Sequence, residues 1–197
     1  MARLSPLPIG HTPELREHFN FFVGTLGFVP NSVLTMQRRP KLVMALAALN
    51  GAVMDPDGEV DLGFRRLVGH FASKAAGCQY CMAHTVLGAK NFGIDDARLE
   101  ALWDYANSPL FTDAERVALE FASAAAQVPN AVTDDLFRRL QEHWTDNQVV
   151  ELLGVIALFG FLNRWNDTMA TPMEPPAELL GERFLAKSGW TAGKHRA

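Results

Sequence analysis

Cys78 and Cys81 are the only two cysteines in the chain, with Gln79 and Tyr80 between them. Residues at i and i+3 of one helix share a face, so these sulfurs can reach bonding distance with little backbone movement. Gly77 stands just before the pair, where a left-handed residue ends one helix. The next helix then starts at about Cys78, and both thiols fall in its first turn. Unpaired N–H groups and the positive end of the helix dipole lie there, and both favour a thiolate. A structural disulfide closing so short a loop would restrain the unfolded chain only weakly. The chemistry indicated is therefore thiol–disulfide exchange, with one sulfur attacking and the other resolving. His84 follows Cys81 by three residues, about 60° round the same helix, and titrates near neutrality. It is the acid–base candidate, placed to serve Cys81 rather than Cys78. The spacing does not order the two sulfurs.

Three other readings of these residues were weighed. Zinc would need a fourth ligand beyond Cys78, Cys81 and His84, and one straight helix does not bring His84 beside both sulfurs. Covalent haem needs histidine directly after the second cysteine, where Met82 stands. Inert burial is the third, since free cysteine is among the most buried residue types. The expectation is a redox pair with no metal and no bound cofactor, reduced by an external dithiol.

The elements that must hold this pair read as helical throughout. Of the 197 residues, 48% are hydrophobic and 20% charged, which excludes a disordered chain, and the net charge of −4 offers no basic field to nucleic acid. Val149 to Leu162 is the longest apolar stretch; Glu151 and two glycines interrupt it, and it falls short of the roughly 20 residues of a membrane span. No basic-then-apolar leader opens the chain, so a cytoplasmic protein without membrane contact is expected. Thr12-Pro13 opens a helix to about Gly24, Asn31 or Ser32 caps a short one, and Pro40 starts another to Met54. Asp61 to Ala76 and Cys78 to Phe92 form the hairpin carrying the cysteines, at about 61–92. Asp95, Thr112, Thr133 and Thr145 or Asp146 cap the rest, Thr112 with Glu115 as a capping box. This gives an all-α bundle of about eight to nine helices in a single domain, 1–171, followed by a C-terminal arm, 172–197. Lys41–Met54 and Val149–Phe161 are apolar on more than one face, which suits burial against another subunit.

The run Ala75-Ala76-Gly77-Cys78-Gln79-Tyr80-Cys81-Met82-Ala83-His84-Thr85 resembles the alkylhydroperoxidase D-like branch of the carboxymuconolactone decarboxylase family. Phe161-Leu162-Asn163-Arg164-Trp165-Asn166-Asp167-Thr168 is similar to the branch called peroxidase-related. The resemblance implies the alkylhydroperoxidase D-like helical fold, a homo-oligomer, and a Cys78–Cys81 pair cycling between dithiol and disulfide. It also implies a small hydroperoxide substrate and a dithiol donor protein, such as a lipoyl domain or a thioredoxin-like protein. Two positions depart from the family pattern. Met82 and Ala83 leave two residues between Cys81 and His84 where the peroxidases have three. Arg66 stands twelve residues before Cys78, where they carry a proton-relay glutamate. No carboxylate lies between Asp61 and Asp95, which leaves His70 as the local candidate for the relay. Two alternatives remain beside a peroxidase: a redox-responsive sensor without turnover, and a lactone decarboxylase-like enzyme, whose proton-transfer chemistry needs no dithiol. In the second run, Arg164 can pair with Asp167 at i,i+3, and Asn163 and Trp165 are candidates to line a pocket over the sulfurs.

Overall fold

The structure is a computed structural model that describes residues 2–196. Its regular elements are all helical: α1 Arg16–Leu26, α2 Asn31–Met36, α3 Pro40–Val53, α4 Leu62–Ala75, α5 Gln79–Asn91, α6 Asp96–Glu100, α7 Asp113–Ala125, α8 Asp134–Gln141, α9 Asp146–Met169 and α10 Pro175–Leu185. The caps read from sequence hold several of them in place. Asp61 Oδ1 accepts the Phe64 N–H at 2.8 Å to start α4, and Thr112 with Glu115 makes the capping box of α7. Thr145, rather than Asp146, caps α9 in a second box with Gln148. The first helix differs from expectation. A 3-10 turn at Pro13–Leu15 precedes α1, which passes through Gly24 and stops at Gly27, φ +86°. A helix interior tolerates glycine at a modest cost, whereas a left-handed terminus prefers it.

The hairpin of α4 and α5 is the centre of the bundle: α7 and α9 pack on α4, and α10 and α9 on α5. Between the two hairpin helices, Gly77 takes φ +72°. The Cys78 N–H donates to the Ser73 carbonyl at 3.0 Å and the Gly77 N–H to Lys74 at 3.1 Å, so the carbonyls at the end of α4 are satisfied in a Schellman-type turn. This turn delivers Cys78 to the start of α5. Cys78 is the N-cap and α5 proper begins at Gln79, one residue later than its composition suggests.

α9 is long and apolar enough to cross a bilayer, but Leu152, Val155, Leu158 and Phe159 bury one face of it in the bundle. Val150, Leu153 and Phe161 stay exposed, on the helix whose surplus apolar surface the sequence assigns to a second subunit. The segment after residue 171 is not a loose arm. α10 lies against α5, Phe184, Leu185 and Trp190 are buried, and the Trp190 indole N–H donates to the Gln79 carbonyl at 3.0 Å. Pro175 occupies the first position of α10, where its fixed φ suits a helix start.

Gly77→Ala should cost about 1–2 kcal/mol, because nothing crowds the site and the penalty is that of a left-handed alanine. Urea unfolding at matched slopes checks it.

Candidate active site

The first turn of α5 places the two sulfurs differently. Cys78, fully buried, caps the helix with its sulfur, which accepts the Cys81 N–H at 3.4 Å. Cys81, one turn on, is buried too but faces a cavity of about 60 Å³. That volume holds about four waters or a molecule of a few heavy atoms. Its walls are mainly apolar, with Phe22, Val33, Leu158 and Phe159 among them. His84, Asn166 and Arg66 supply the polar edge near Cys81. No S–S bond joins the two sulfurs in this structure.

The electrostatics correct one expectation. A helix start favours a thiolate, yet burial pushes the Cys81 thiol well above its ordinary value, and its hydrogen bond with Cys78 and the charge there push it the same way. The Asn166 amide opposes this, donating to Cys81 Sγ at 3.4 Å. The helix-end N–H is spent on Cys78 Sγ and gives no such support to Cys81.

His84 shares the pocket with Cys81, but neither ring nitrogen bonds the sulfur. Nδ1 lies 2.8 Å from the Tyr80 carbonyl oxygen, which has no hydrogen to give, so Nδ1 carries the proton. Nε2 then lies 2.8 Å from Glu174 Oε2, where one hydrogen must sit between nitrogen and carboxylate. The other oxygen, Oε1, accepts the Tyr80 hydroxyl at 2.9 Å and the Asn31 N–H. The Tyr80 ring also stacks on the imidazole, with centroids 4.0 Å apart. Burial raises the Glu174 carboxyl, but the facing His84 charge and the three donors outweigh it and hold it below its ordinary value. The imidazole and the carboxylate thus face each other across 2.8 Å beside the cavity.

Glu174 is the carboxylate that the local sequence lacks. It lies at the start of α10, ninety residues after His84, and reaches the site because α10 folds back on α5. No pattern near the cysteines signals it. His70 does not take this position: its Nδ1 lies 3.3 Å from the Met82 carbonyl and 3.2 Å from the Thr85 hydroxyl. Burial lowers its pKa to about 4, and it is not part of the cavity wall. In the Asn163–Asp167 run it is Asn166 that reaches a sulfur; Asn163 bonds the Ala72 carbonyl, and Asp167 pairs with Lys194 at 2.7 Å rather than with Arg164. Arg164 instead bonds the Gly160 carbonyl. Tyr80 lies between the cysteines, and its position four before His84, one turn back on the same helix, is the sequence signal for its contact with the imidazole.

A model of the carboxymuconolactone decarboxylase family matches residues 40–124. The chain is 30% identical over 172 residues to the protein YnjA of Escherichia coli, covering 87% of this chain and 92% of that one. Among solved structures it is similar to the debrominase Bmp8, with a TM-score of 0.86 and 29% identity over 91% of this chain and 96% of that one. A cysteine-to-alanine variant of that debrominase has been solved with 2,3,4-tribromopyrrole and matches equally well, at 0.87. An alkylhydroperoxidase D core protein from Ralstonia eutropha, described as peroxidase-related, shares the fold at a TM-score of 0.77 and 24% identity, over 90% of this chain and 96% of that one.

Two substitutions test the geometry. Glu174→Ala leaves the buried His84 ring, the Tyr80 hydroxyl and the Asn31 N–H without their acceptor, and should cost about 3 kcal/mol near neutral pH. Because the folded carboxyl sits below its unfolded value of about 4.3, its stabilisation is complete above that pH and is lost as pH falls through the folded value. Unfolding curves of the wild type and Glu174→Gln should therefore converge in acid. Asn166→Ala removes a donor to the Cys81 thiolate, so iodoacetamide should alkylate Cys81 about tenfold more slowly at a pH below its midpoint, as read by peptide mass mapping.

Proposed function

The chain belongs to the carboxymuconolactone decarboxylase family, and on that premise we propose that it is a dithiol oxidoreductase reducing small hydroperoxides through Cys81 and Cys78. One observation carries this reading: of two adjacent thiols, only Cys81 faces the cavity, and it does so beside the proton held by His84 and Glu174. Cys81 passes its proton to Cys78 and attacks the terminal oxygen of the hydroperoxide. The O–O bond breaks, the alkoxide leaves as alcohol with a proton from the His84–Glu174 pair, and Cys81 becomes a sulfenic acid. Cys78 attacks that sulfur, the disulfide forms, and hydroxide leaves as water after protonation. With Cys78 taken as the thiolate that receives the Cys81 proton, one thiol, one thiolate, one hydroperoxide and the proton from the His84–Glu174 pair thus become one disulfide, one alcohol and one water. An external dithiol then restores the pair by exchange. Cys78 is suited to the resolving role, since its sulfur is fully buried and adjoins the first turn that carries Cys81.

A second reading uses the same pair. The likeness to a debrominase extends over nine-tenths of the chain, and the cavity is apolar with no carboxylate on its wall. Reductive dehalogenation would consume two thiols and a carbon–bromine bond, yielding a carbon–hydrogen bond, bromide, a proton and the disulfide.

The two are separated by incubating reduced protein with dihydrolipoamide and either tert-butyl hydroperoxide or 2,3,4-tribromopyrrole, following dithiol consumption and bromide release. Dithiol loss matched to hydroperoxide, abolished in Cys81→Ser and halted after one turnover with a trapped sulfenic acid in Cys78→Ser, is the expected result. Bromide release without hydroperoxide reduction moves the assignment to dehalogenation. Wild-type turnover equal to Cys81→Ser on both substrates rejects the dithiol mechanism.

A further inference from the structure

Arg65 and Arg66 stand side by side in α4, and both are buried, with exposures of 1% and 6%. They differ in what surrounds the charge. The Arg65 guanidinium bonds the Val53 and Asp55 carbonyls at 3.1 and 2.9 Å and faces Glu151 Oε2 at 2.8 Å. Its charge is paired, although its Nε, like that of Arg66, is buried without an acceptor. Arg66, about 100° further round the helix, turns to the cavity that Cys81 faces. Among the described residues no carboxylate comes within 4.0 Å of its guanidinium, and its Nε is buried without an acceptor. Its stem crosses Gly88, where an added Cβ would meet Arg66 Cδ at 3.0 Å, and its Cζ lies 5.4 Å from the Phe92 ring centroid. Gly88 and Phe92 so fix the direction of the guanidinium without neutralising it. Burial with no compensating partner lowers Arg66 to about 10, which leaves it charged at neutral pH.

A buried cation without a counter-ion costs several kcal/mol, and a fold normally pairs or removes it. The carboxylates of the site and of the neighbouring arginine are engaged elsewhere: Glu174 by His84, Tyr80 and Asn31, and Glu151 by Arg65. The side-chain donor to the Cys81 sulfur is Asn166, not Arg66. What Arg66 shares with Cys81 is the cavity between them.

We propose that Arg66 is an anion-binding residue of this cavity, and that the substrate is a short apolar molecule carrying one carboxylate. The apolar walls take its carbon skeleton, the planar guanidinium takes the carboxylate through paired N–H donors, and the reducible atom is left toward Cys81. This deepens the dithiol reading by naming the class of its substrate, but the binding itself requires no turnover.

The test is calorimetric titration of the reduced, full-length protein with propionate, with its neutral isostere propionamide and with bromide, in the wild type, Arg66→Lys and Arg66→Met. Saturable propionate binding is expected to weaken by about tenfold or more in Arg66→Met and by less in Arg66→Lys, with propionamide unaffected by either change. Propionate should also slow alkylation of Cys81 by iodoacetamide in the wild type alone. Equal propionate affinity in wild type and Arg66→Met, or no saturable propionate binding to the wild type, overturns the proposal. Arg66-dependent binding of bromide but not propionate also overturns it, by assigning the guanidinium to a departing halide. If Arg66→Met fails to fold by circular dichroism, Arg66→Lys with the propionate–propionamide contrast in the wild type decides. Failure of the dithiol assays with Arg66-dependent propionate binding intact would sink the catalytic reading and leave this one standing.

Discussion

The contact of His84 Nε2 with Glu174 Oε2 joins the two ends of the functional unit, and most of what is particular to this site passes through it. On one side stands α5, with the cysteines in its first turn and the imidazole one turn on. On the other stands the first residue before α10, in a segment that would otherwise be a tail. A buried carboxylate is tolerated only where donors surround it, and here a backbone N–H, a phenol and an imidazole do so. In return the carboxylate holds the imidazole in one orientation and one tautomer. Folding of the C-terminal segment and assembly of the acid–base pair are thus a single event, reinforced by Trp190 bonding the first carbonyl of α5.

The same logic separates the thiols. A helix start has few free N–H groups, and the one that reaches a sulfur reaches that of Cys78. Cys81 gains the cavity and loses that stabilisation; burial and its neighbour's charge make it a reluctant acid, moderated by Asn166. The pair therefore divides its work. One sulfur caps the helix out of solvent's reach, and the other faces the cavity.

The two arginines of α4 show how one residue of register changes a charge's role. Arg65 faces a loop that offers carbonyls and a carboxylate, and it closes that loop. Arg66 faces an apolar cavity, in the place where the resemblance leads one to expect a glutamate. Glu174 supplies a carboxylate beside the histidine from the start of α10, and the cavity wall carries a cation, where an acid would repel an anionic ligand.

Local features of the chain determined a good deal. Periodicity and capping residues determined the helices, because a cap acts within three residues of itself, as at Asp61, Thr112 and Thr145. Gly77 and the cysteine spacing determined that two thiols meet at a helix start, since turn and pair are also short-range. The partner of His84 lay beyond such reach: His70 is near in sequence and faces Met82 and Thr85, whereas Glu174 is ninety residues away and faces the imidazole. Which sulfur sees the cavity, which of Asn163 and Asn166 touches it, and which arginine lacks a partner were likewise decided by packing. Each depends on the rotation of a helix against a distant neighbour, and that rotation is set by burial summed over the whole bundle rather than by any few adjacent residues.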